Sequence, residues 1–182
     1  MKAGTILREF KAKNGKTVTL RAPRWSDLDD MLDFINSLVE EGADIGVDTK
    51  KTREEEIDWL LDLLSKVEKE QMIAVCAEVD DRFIGIMEVT PQMGRMKHVG
   101  RLGVSLKDGY RDLGIGSELM REAENQAPKH GLEMISLEVY ETNERARHVY
   151  QKCGYQETGK IPKGIKRDGK YIDSIIMVKF LG

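Results

Sequence analysis

The stretch His98-Val-Gly-Arg-Leu-Gly-Val-Ser-Leu-Lys-Asp-Gly-Tyr-Arg-Asp-Leu-Gly-Ile-Gly116 decides how the rest of the chain is read. His98 to Leu106 is a strand-like apolar run, Asp108, Gly109 and Tyr110 make a short turn, and the segment from Arg111 to Gly116 opens a helix that reaches about Gln126. A strand, a glycine turn and a helix N-terminus in that order form an anion site. The N–H groups at the start of a helix lack intrahelical acceptors and the helix dipole favours negative charge there. Gly114 and Gly116 remove side chains that would block a phosphate, and Arg111 adds a fixed positive charge.

Upstream, Val18, Leu20 and Ala22 alternate as in a half-buried strand that Pro23 closes. Ser26 with Asp29 has capping-box spacing ahead of Leu28, Met31, Leu32, Ile35, Leu38 and Val39, a helical stripe. Thr52 with Glu55 repeats the signal ahead of Ile57, Leu60, Leu61, Leu64 and Val67. Met72–Val79 and Arg82–Thr90 read as a hairpin across Asp80 and Asp81. Downstream, Met134–Tyr140 is a strand and Asn143–Cys153 a helix. Tyr155–Ile161 and Tyr171–Phe180 are strands, linked by Pro162–Gly169 with an Asp168-Gly169 turn. The order β-α-α-β-β-β-α-β-α-β-β predicts one α/β domain over residues 1–182, a mixed sheet with helices on both faces.

Composition excludes several classes. The 182 residues suit one core that needs no disulfide or metal staple. No apolar run approaches the ~18 residues of a membrane span, and the N-terminus has no signal-peptide pattern, so a cytoplasmic protein is expected. The 29 Lys and Arg are interleaved with 32 Asp and Glu for a net charge of −3, so nucleic acid is not the expected partner. Cys76 and Cys153 stand far apart, and no histidine lies three or four residues from another or from a cysteine. No metal site is expected.

Three phosphate-binding patterns compete for the loop. The nucleotide-triphosphate pattern fails because Ile115 stands where Lys is required, and the dinucleotide fingerprint fails because Leu119 stands where a third Gly belongs. The third, R/Q-x-x-G-x-G/A between strand and helix, is met by Arg111, Gly114 and Gly116. Leu137-Glu138-Val139 followed by Asn143, Ala146, Tyr150 and Gly154-Tyr155 makes a second match in the right order. In these features the chain resembles the GCN5-related N-acetyltransferase (GNAT) superfamily, over its full length in element order and by motif from about His98 to Tyr155.

The resemblance implies an α/β (α+β) fold with a mixed, mostly antiparallel central sheet and a splayed pair of parallel strands, His98–Leu106 and Met134–Tyr140. It implies acetyl-CoA as cosubstrate, with Arg111, Asp112, Leu113, Gly114, Ile115, Gly116 and Ser117 around the pyrophosphate. The pantetheine arm would run along Gly103, Val104 and Ser105, and Asn143 and Tyr150 would also meet the cofactor. Gly103 fits a bulge or a close backbone approach.

Acetyl transfer needs a neutral amine, a donor for the developing oxyanion and a proton for the leaving thiolate. The N–H near Val104 is the implied oxyanion donor. Tyr150 is the candidate acid, although Ala146, Val149, Tyr150 and Cys153 also form a helical packing stripe, and Asn143 also suits a helix N-cap. For the base, Glu138, Glu88 and a water chain stay open. Glu138 alternates with Leu137 and Val139, and the chain locally resembles ribosomal-protein alanine acetyltransferases, in which the matching Glu is the base. The C-terminal hairpin resembles that of phosphinothricin-like acetyltransferases, but Arg101 falls where those enzymes carry an acidic residue.

The acidic connection (Glu40, Glu41, Asp44, Asp48, then Glu54–Glu56) suits cationic amines or a solvated helix face, whereas Lys160, Lys163, Lys166, Arg167 and Lys170 suit a carboxylate or the cofactor's 3′-phosphate. The expected acceptor is a small-molecule amine (amino acid, polyamine or antibiotic-like) or a peptide N-terminus, acetylated directly in a ternary complex. Homodimerisation is a family expectation. The alternative from another class is a non-catalytic acyl-CoA-binding regulatory domain.

Overall fold

The computed structural model describes residues 1–182. Ile73–Val79 (β3) and Arg82–Pro91 (β4) form an antiparallel hairpin in mid-chain. Asp80 and Asp81 turn it with φ of 51° and 58°, the left-handed geometry that a two-residue turn requires and that short polar side chains tolerate. Val99–Leu106 (β5) pairs antiparallel with β4 along its whole length, from Pro91 opposite Gly100 to Gly85 opposite Leu106. Met134–Tyr140 (β6) lies parallel to β5, and Lys170–Phe180 (β8) pairs antiparallel with all of β6. Gln156–Arg167 (β7) forms one edge, and Thr17–Arg21 (β2) with Ile6–Lys11 (β1) extends the other. The sheet order is β1-β2-β3-β4-β5-β6-β8-β7, with β5 and β6 the parallel pair.

Two cores follow from the two-residue period of the central strands. Ala74, Cys76, Phe83 and Ile86 face Leu28–Glu40 (α1) and Arg53–Glu68 (α2), whose Met31, Phe34, Leu38, Leu60, Leu63 and Val67 are buried against them. Val75, Ala77, Met87, Val89, Leu102, Leu137 and Val139 face the other way, onto Ile115, Leu119, Met120 and Ala123 of Ile115–Gln126 (α3). Glu144–Lys152 (α4) lies on that second face through Ala146 and Tyr150.

The Thr52–Glu55 capping box forms as its spacing predicts: the Glu55 amide donates to Thr52 Oγ1 at 3.2 Å and the Thr52 amide to Glu55 Oε2 at 2.8 Å. Ser26 does not cap α1. A short helical turn at Trp25–Asp27 precedes the helix, and Asp27 instead joins a buried cluster. Arg21, 1% exposed, donates to Asp27 at 2.7 and 2.6 Å and to Glu78 at 2.8 Å, while Arg24 reaches the same two carboxylates at 3.2 and 2.7 Å. Burial opposes the Arg21 charge, but the bonds and charges of Asp27 and Glu78 outweigh it and raise its pKa.

Three further expectations are corrected. The sequence shows no strand before Thr17, yet β1 is one; its residues do not alternate because an edge strand buries little. In α2, Leu63 is buried and Leu61 is 52% exposed, so the inner stripe runs through Leu60, Leu63 and Val67. Pro162–Gly169 is not a loop: β7 continues to Arg167 through a register shift between Ile161 and Ile165, where Lys163 has φ 57° and its amide donates to Asp173 at 2.8 Å.

Glycine is required at Gly100, where an added Cβ would lie 2.5 Å from Val89 Cγ1 and 2.8 Å from Leu132 Cδ1, whereas at Gly103 it would meet nothing within 4 Å. Gly100→Ala is therefore expected to destabilise the chain by about 1–3 kcal/mol, and Gly103→Ala to leave thermal unfolding within about 0.5 kcal/mol of the parent. Equal melting temperatures for the two variants would contradict this packing.

Candidate active site

The parallel pair holds together only at its start. Val99, Gly100 and Arg101 pair with Met134, Ile135 and Ser136, and beyond them β5 and β6 run on without pairing. Each strand stays attached to its outer neighbour, β5 to β4 as far as Leu106 and β6 to β8 as far as Tyr140, so the inner edges part and the sheet opens between its two faces.

On the α3 side of the opening lies a cavity of 540 Å³ whose lining includes Val104, Ser105, Leu106, Arg111, Asp112, Gly114, Gly116, Ser117, Asn143 and Tyr150. Its floor is the α3 N-terminus. The backbone takes positive φ at Gly109 (82°), Asp112 (62°) and Gly114 (86°), and α3 starts from Gly114. The Glu118 amide bonds Gly114 O at 3.2 Å, so those of Ile115, Gly116 and Ser117 leave the helix end without an intrahelical acceptor. A side chain at Gly114 would be strained by that φ, and no atom lies within 4 Å of where its Cβ would sit. This open ring of amides fits a phosphate or pyrophosphate group.

Side chains around the loop take distinct places. Arg111 donates from Nε to Leu106 O at 2.9 Å and pairs with Glu41, so its guanidinium is anchored to the loop after α1. Asp112 holds Arg145 of α4 at 2.9 Å, and Leu113 O accepts from the Lys13 amide at 3.1 Å. Ile115 is a core residue. Asn143 Oδ1 caps α4 by accepting from the Ala146 amide at 3.0 Å. Gly103 interrupts no pairing, because β4 and β5 stay in register through it, so the expected bulge is absent. Lys13, Arg145, His148 and Lys152 also line this cavity. Their scattered positions in sequence gave no signal of that grouping.

On the other face a cavity of 340 Å³ sits between α1, α2 and β4, lined by apolar residues including Phe34, Trp59, Phe83 and Ile86, and also by Glu55, Glu56, Glu88 and Ser105. Leu38, Ile45 and Ser105 line both cavities, so the two meet at the parted strands. The segment between α1 and α2 is tied down over this junction, with Tyr140 donating to Ile45 O at 2.9 Å and Arg167 Nη1 to Asp44 at 2.6 Å. The acidic connection and the basic hairpin thus meet each other here. Lys160 pairs with Asp173 at 2.7 Å, and Lys163 and Lys166 lie over the Tyr171 ring at 5.8 and 5.5 Å.

The candidate bases differ in their surroundings. Glu138 accepts from Arg101 and from Ser174, each at 3.0 Å. Glu88 sits opposite Gly103 in the β4–β5 register and makes no side-chain hydrogen bond or ion pair. Burial pushes its carboxyl up to about 7, with Lys66 opposing and Glu56 reinforcing the shift. On the other side of the opening, burial pushes the Tyr150 phenol up to about 12, with Cys153 adding to it. Burial also raises both thiols, Cys153 and, much more, Cys76, so neither is an activated nucleophile. Of the acidic run Glu54–Glu56, which the sequence offers to cationic amines or to a solvated helix face, Glu56 alone is buried. It is 5% exposed, lines the cavity and has no side-chain partner. Its signal was its place four residues before Leu60, in line with the buried stripe of α2.

Comparison with known proteins bears on this geometry. The Acetyltransferase (GNAT) family matches residues 32–155. An L-amino acid N-acetyltransferase of Escherichia coli is 28% identical over 103 residues, 56% of this chain and 64% of that relative's own length, so the chain spans less than two thirds of it. An acetyltransferase of GNAT family from Streptococcus pneumoniae has a similar structure, at TM-score 0.79 and 28% identity over 90% of this chain and 99% of that one. A phosphinothricin acetyltransferase from Sinorhizobium meliloti, solved in complex with acetyl-CoA, shares the fold at TM-score 0.79 and 18% identity, covering 91% of this chain and 89% of its own.

The Glu88 environment makes a stability prediction. Its pKa rises from 4.5 to about 7 on folding, so the folded chain holds a proton that the unfolded chain releases. Stability is therefore lost as pH rises from about 4.5 to about 7 and stays lost above. Glu88→Gln is expected to raise the melting temperature at pH 8, by roughly 1–2 kcal/mol of stability, and to change it little at pH 4.5. A Glu88→Gln variant no more stable than its parent at pH 8 would count against the desolvated carboxyl.

Proposed function

The chain belongs to the acetyltransferase (GNAT) family, and on that premise we propose that it is an N-acetyltransferase that moves the acetyl group of acetyl-CoA directly to a primary amine. The observation that carries the reading is the meeting of two cavities at Ser105, with the helix-end anion cradle and Tyr150 on one side and Glu88 on the other.

The amides of Ile115, Gly116 and Ser117 would hold the pyrophosphate, assisted by Arg111 and by Lys13, Arg145 and Lys152 around the cavity. The open edge of β5 at Gly103, Val104 and Ser105 leaves backbone groups to line the pantetheine arm, and the N–H at Val104 is the proposed donor to the thioester carbonyl. Bound acetyl-CoA supplies a thioester whose acyl group passes from sulfur to nitrogen. Glu88 takes one proton from the incoming ammonium, which frees the nitrogen lone pair for attack. Tyr150 gives a proton to the departing sulfur, and the second proton shed by the nitrogen leaves to water. Between about 7 and about 12 the carboxylate is ionised and the phenol still protonated, so base and acid are ready together in that range.

Glu88 is preferred to Glu138 because the latter's two oxygens are already engaged by Arg101 and Ser174. Direct transfer is preferred to an acetyl-cysteine because burial raises both thiols. The acceptor classes kept in this proposal are small amines and peptide N-termini; cytoplasmic placement and homodimerisation are part of it as well.

Thiol release from acetyl-CoA, measured across polyamines, amino acids, aminoglycosides and peptide N-termini, tests the activity. Tyr150→Phe is expected to lower kcat by about 10²–10⁴ with acetyl-CoA affinity unchanged. The wild-type kcat is expected to rise with pH through an apparent pKa near 7 and to lose that limb in Glu88→Gln. Acetyl-CoA binding with no release for any amine would favour the binding-module alternative.

A further inference from the structure

Glu56 is a buried carboxylate without a protein partner, and it faces the cavity that holds Glu88. Such a group costs stability unless something neutralises it. Lys51, the cation in the same cavity, reaches Glu55 at 3.4 Å, and its amide is fixed on Asn36 Oδ1 at 2.7 Å. The rest of the wall is apolar, with Phe34 set edge-on to Phe83 at a centroid distance of 5.1 Å and Trp59 and Ile86 nearby. The cavity thus offers two carboxylates without hydrogen-bond partners and an aromatic surface, and its one cation, Lys51, stands between Glu55, which it contacts, and Glu56, whose charge it partly offsets.

We propose that the acceptor bound here is a primary amine with an apolar, ring-bearing body and no carboxylate, and that Glu56 determines this choice by holding the ammonium beside Glu88. The proposal rests on the transferase reading and narrows its substrate class. An α-amino acid would bring its carboxylate against Glu56 and Glu88. A polyamine would satisfy the charge but leave the aromatic wall uncovered. Glu56 stands on the inner stripe of α2, where the neighbouring inward positions are Leu60 and Leu63, so a carboxylate occupies a place whose neighbours pack as hydrocarbon.

The test measures binding, so that it does not depend on turnover. The full chain is titrated calorimetrically at pH 7.5 with 2-phenylethylamine, L-phenylalanine and 1,4-diaminobutane, in the wild type and in Glu56→Gln, Trp59→Ala and, as a charge control on the outer side of α2, Glu54→Gln. The expected result is that 2-phenylethylamine binds at least tenfold tighter than the other two, that Glu56→Gln weakens it at least tenfold, and that Glu54→Gln leaves it unchanged. Trp59→Ala should weaken 2-phenylethylamine and not 1,4-diaminobutane. The melting temperature of Glu56→Gln is expected to be no lower than the parent's, because burial raises the Glu56 pKa and the amide removes that cost.

Absent binding of 2-phenylethylamine, affinity unaltered by Glu56→Gln, or a preference for either competitor overturns the proposal. Binding with this pattern but without thiol release defeats the transferase reading alone. Release with a KM for 2-phenylethylamine unaltered in Glu56→Gln defeats this proposal alone.

Discussion

Everything distinctive in this molecule depends on two parallel strands that begin paired and then part. Parallel strands are normally buried in a continuous ladder, and an unpaired inner edge leaves backbone donors and acceptors without partners. Here β5 and β6 each retain a full antiparallel neighbour, so the opening removes only one edge of pairing from each strand. Arg101 bridges to Glu138 just at the fork, with Ser174 on the same carboxylate, which ties the strands where pairing ends. The backbone groups left free by the opening are those available to an extended, amide-containing ligand.

The two sides of the opening are chemically unlike because the two sheet faces carry different helices. α3 meets the opening end-on and presents amides and partial positive charge, whereas α1 and α2 lie along their face and present side chains. One side therefore suits an anion, and the other encloses an apolar cavity with carboxylates. Their position depends on the buried Arg21 cluster, in which β2, β3 and the entry to α1 share one set of charges. Removing one member would leave the others buried and uncompensated, a loss of about 3–5 kcal/mol, so the cluster fixes where α1 begins even though its net stabilisation is modest.

Local signals were legible where they depend on the chain's own chemistry. The turn at Asp80-Asp81, the Thr52–Glu55 cap, the glycine loop opening α3 and the Asn143 cap all rest on interactions within a few residues, and all form. Signals that depend on a distant partner failed. Ser26 has the right spacing for a cap, but Asp27 is taken by Arg21 from another strand. The bulged segment around Lys163 carries Pro and Gly and reads as a loop, and it is pairing with β8 that makes it strand. The acidic and basic runs suggest opposite partners by sequence, yet Asp44 and Arg167, 123 residues apart, bind each other.

The sequence by itself determined the order of elements from Thr17 onward, the family resemblance and the anion cradle, because each rests on spacings and turn residues within short segments, whereas the edge strand β1 shows itself only in its pairing with β2. Only the tertiary structure decided which carboxylates stand free. Glu138 and Glu88 both alternate with apolar neighbours along their strands, but Glu138 meets Arg101 and Ser174 across the sheet while Glu88 meets the space under α1 and α2. Glu56 is one of three consecutive glutamates, and only the rotation of α2 turns it inward while Glu54 stays exposed. A carboxylate's chemistry is set by what surrounds it, and those surroundings come from segments far apart in the chain.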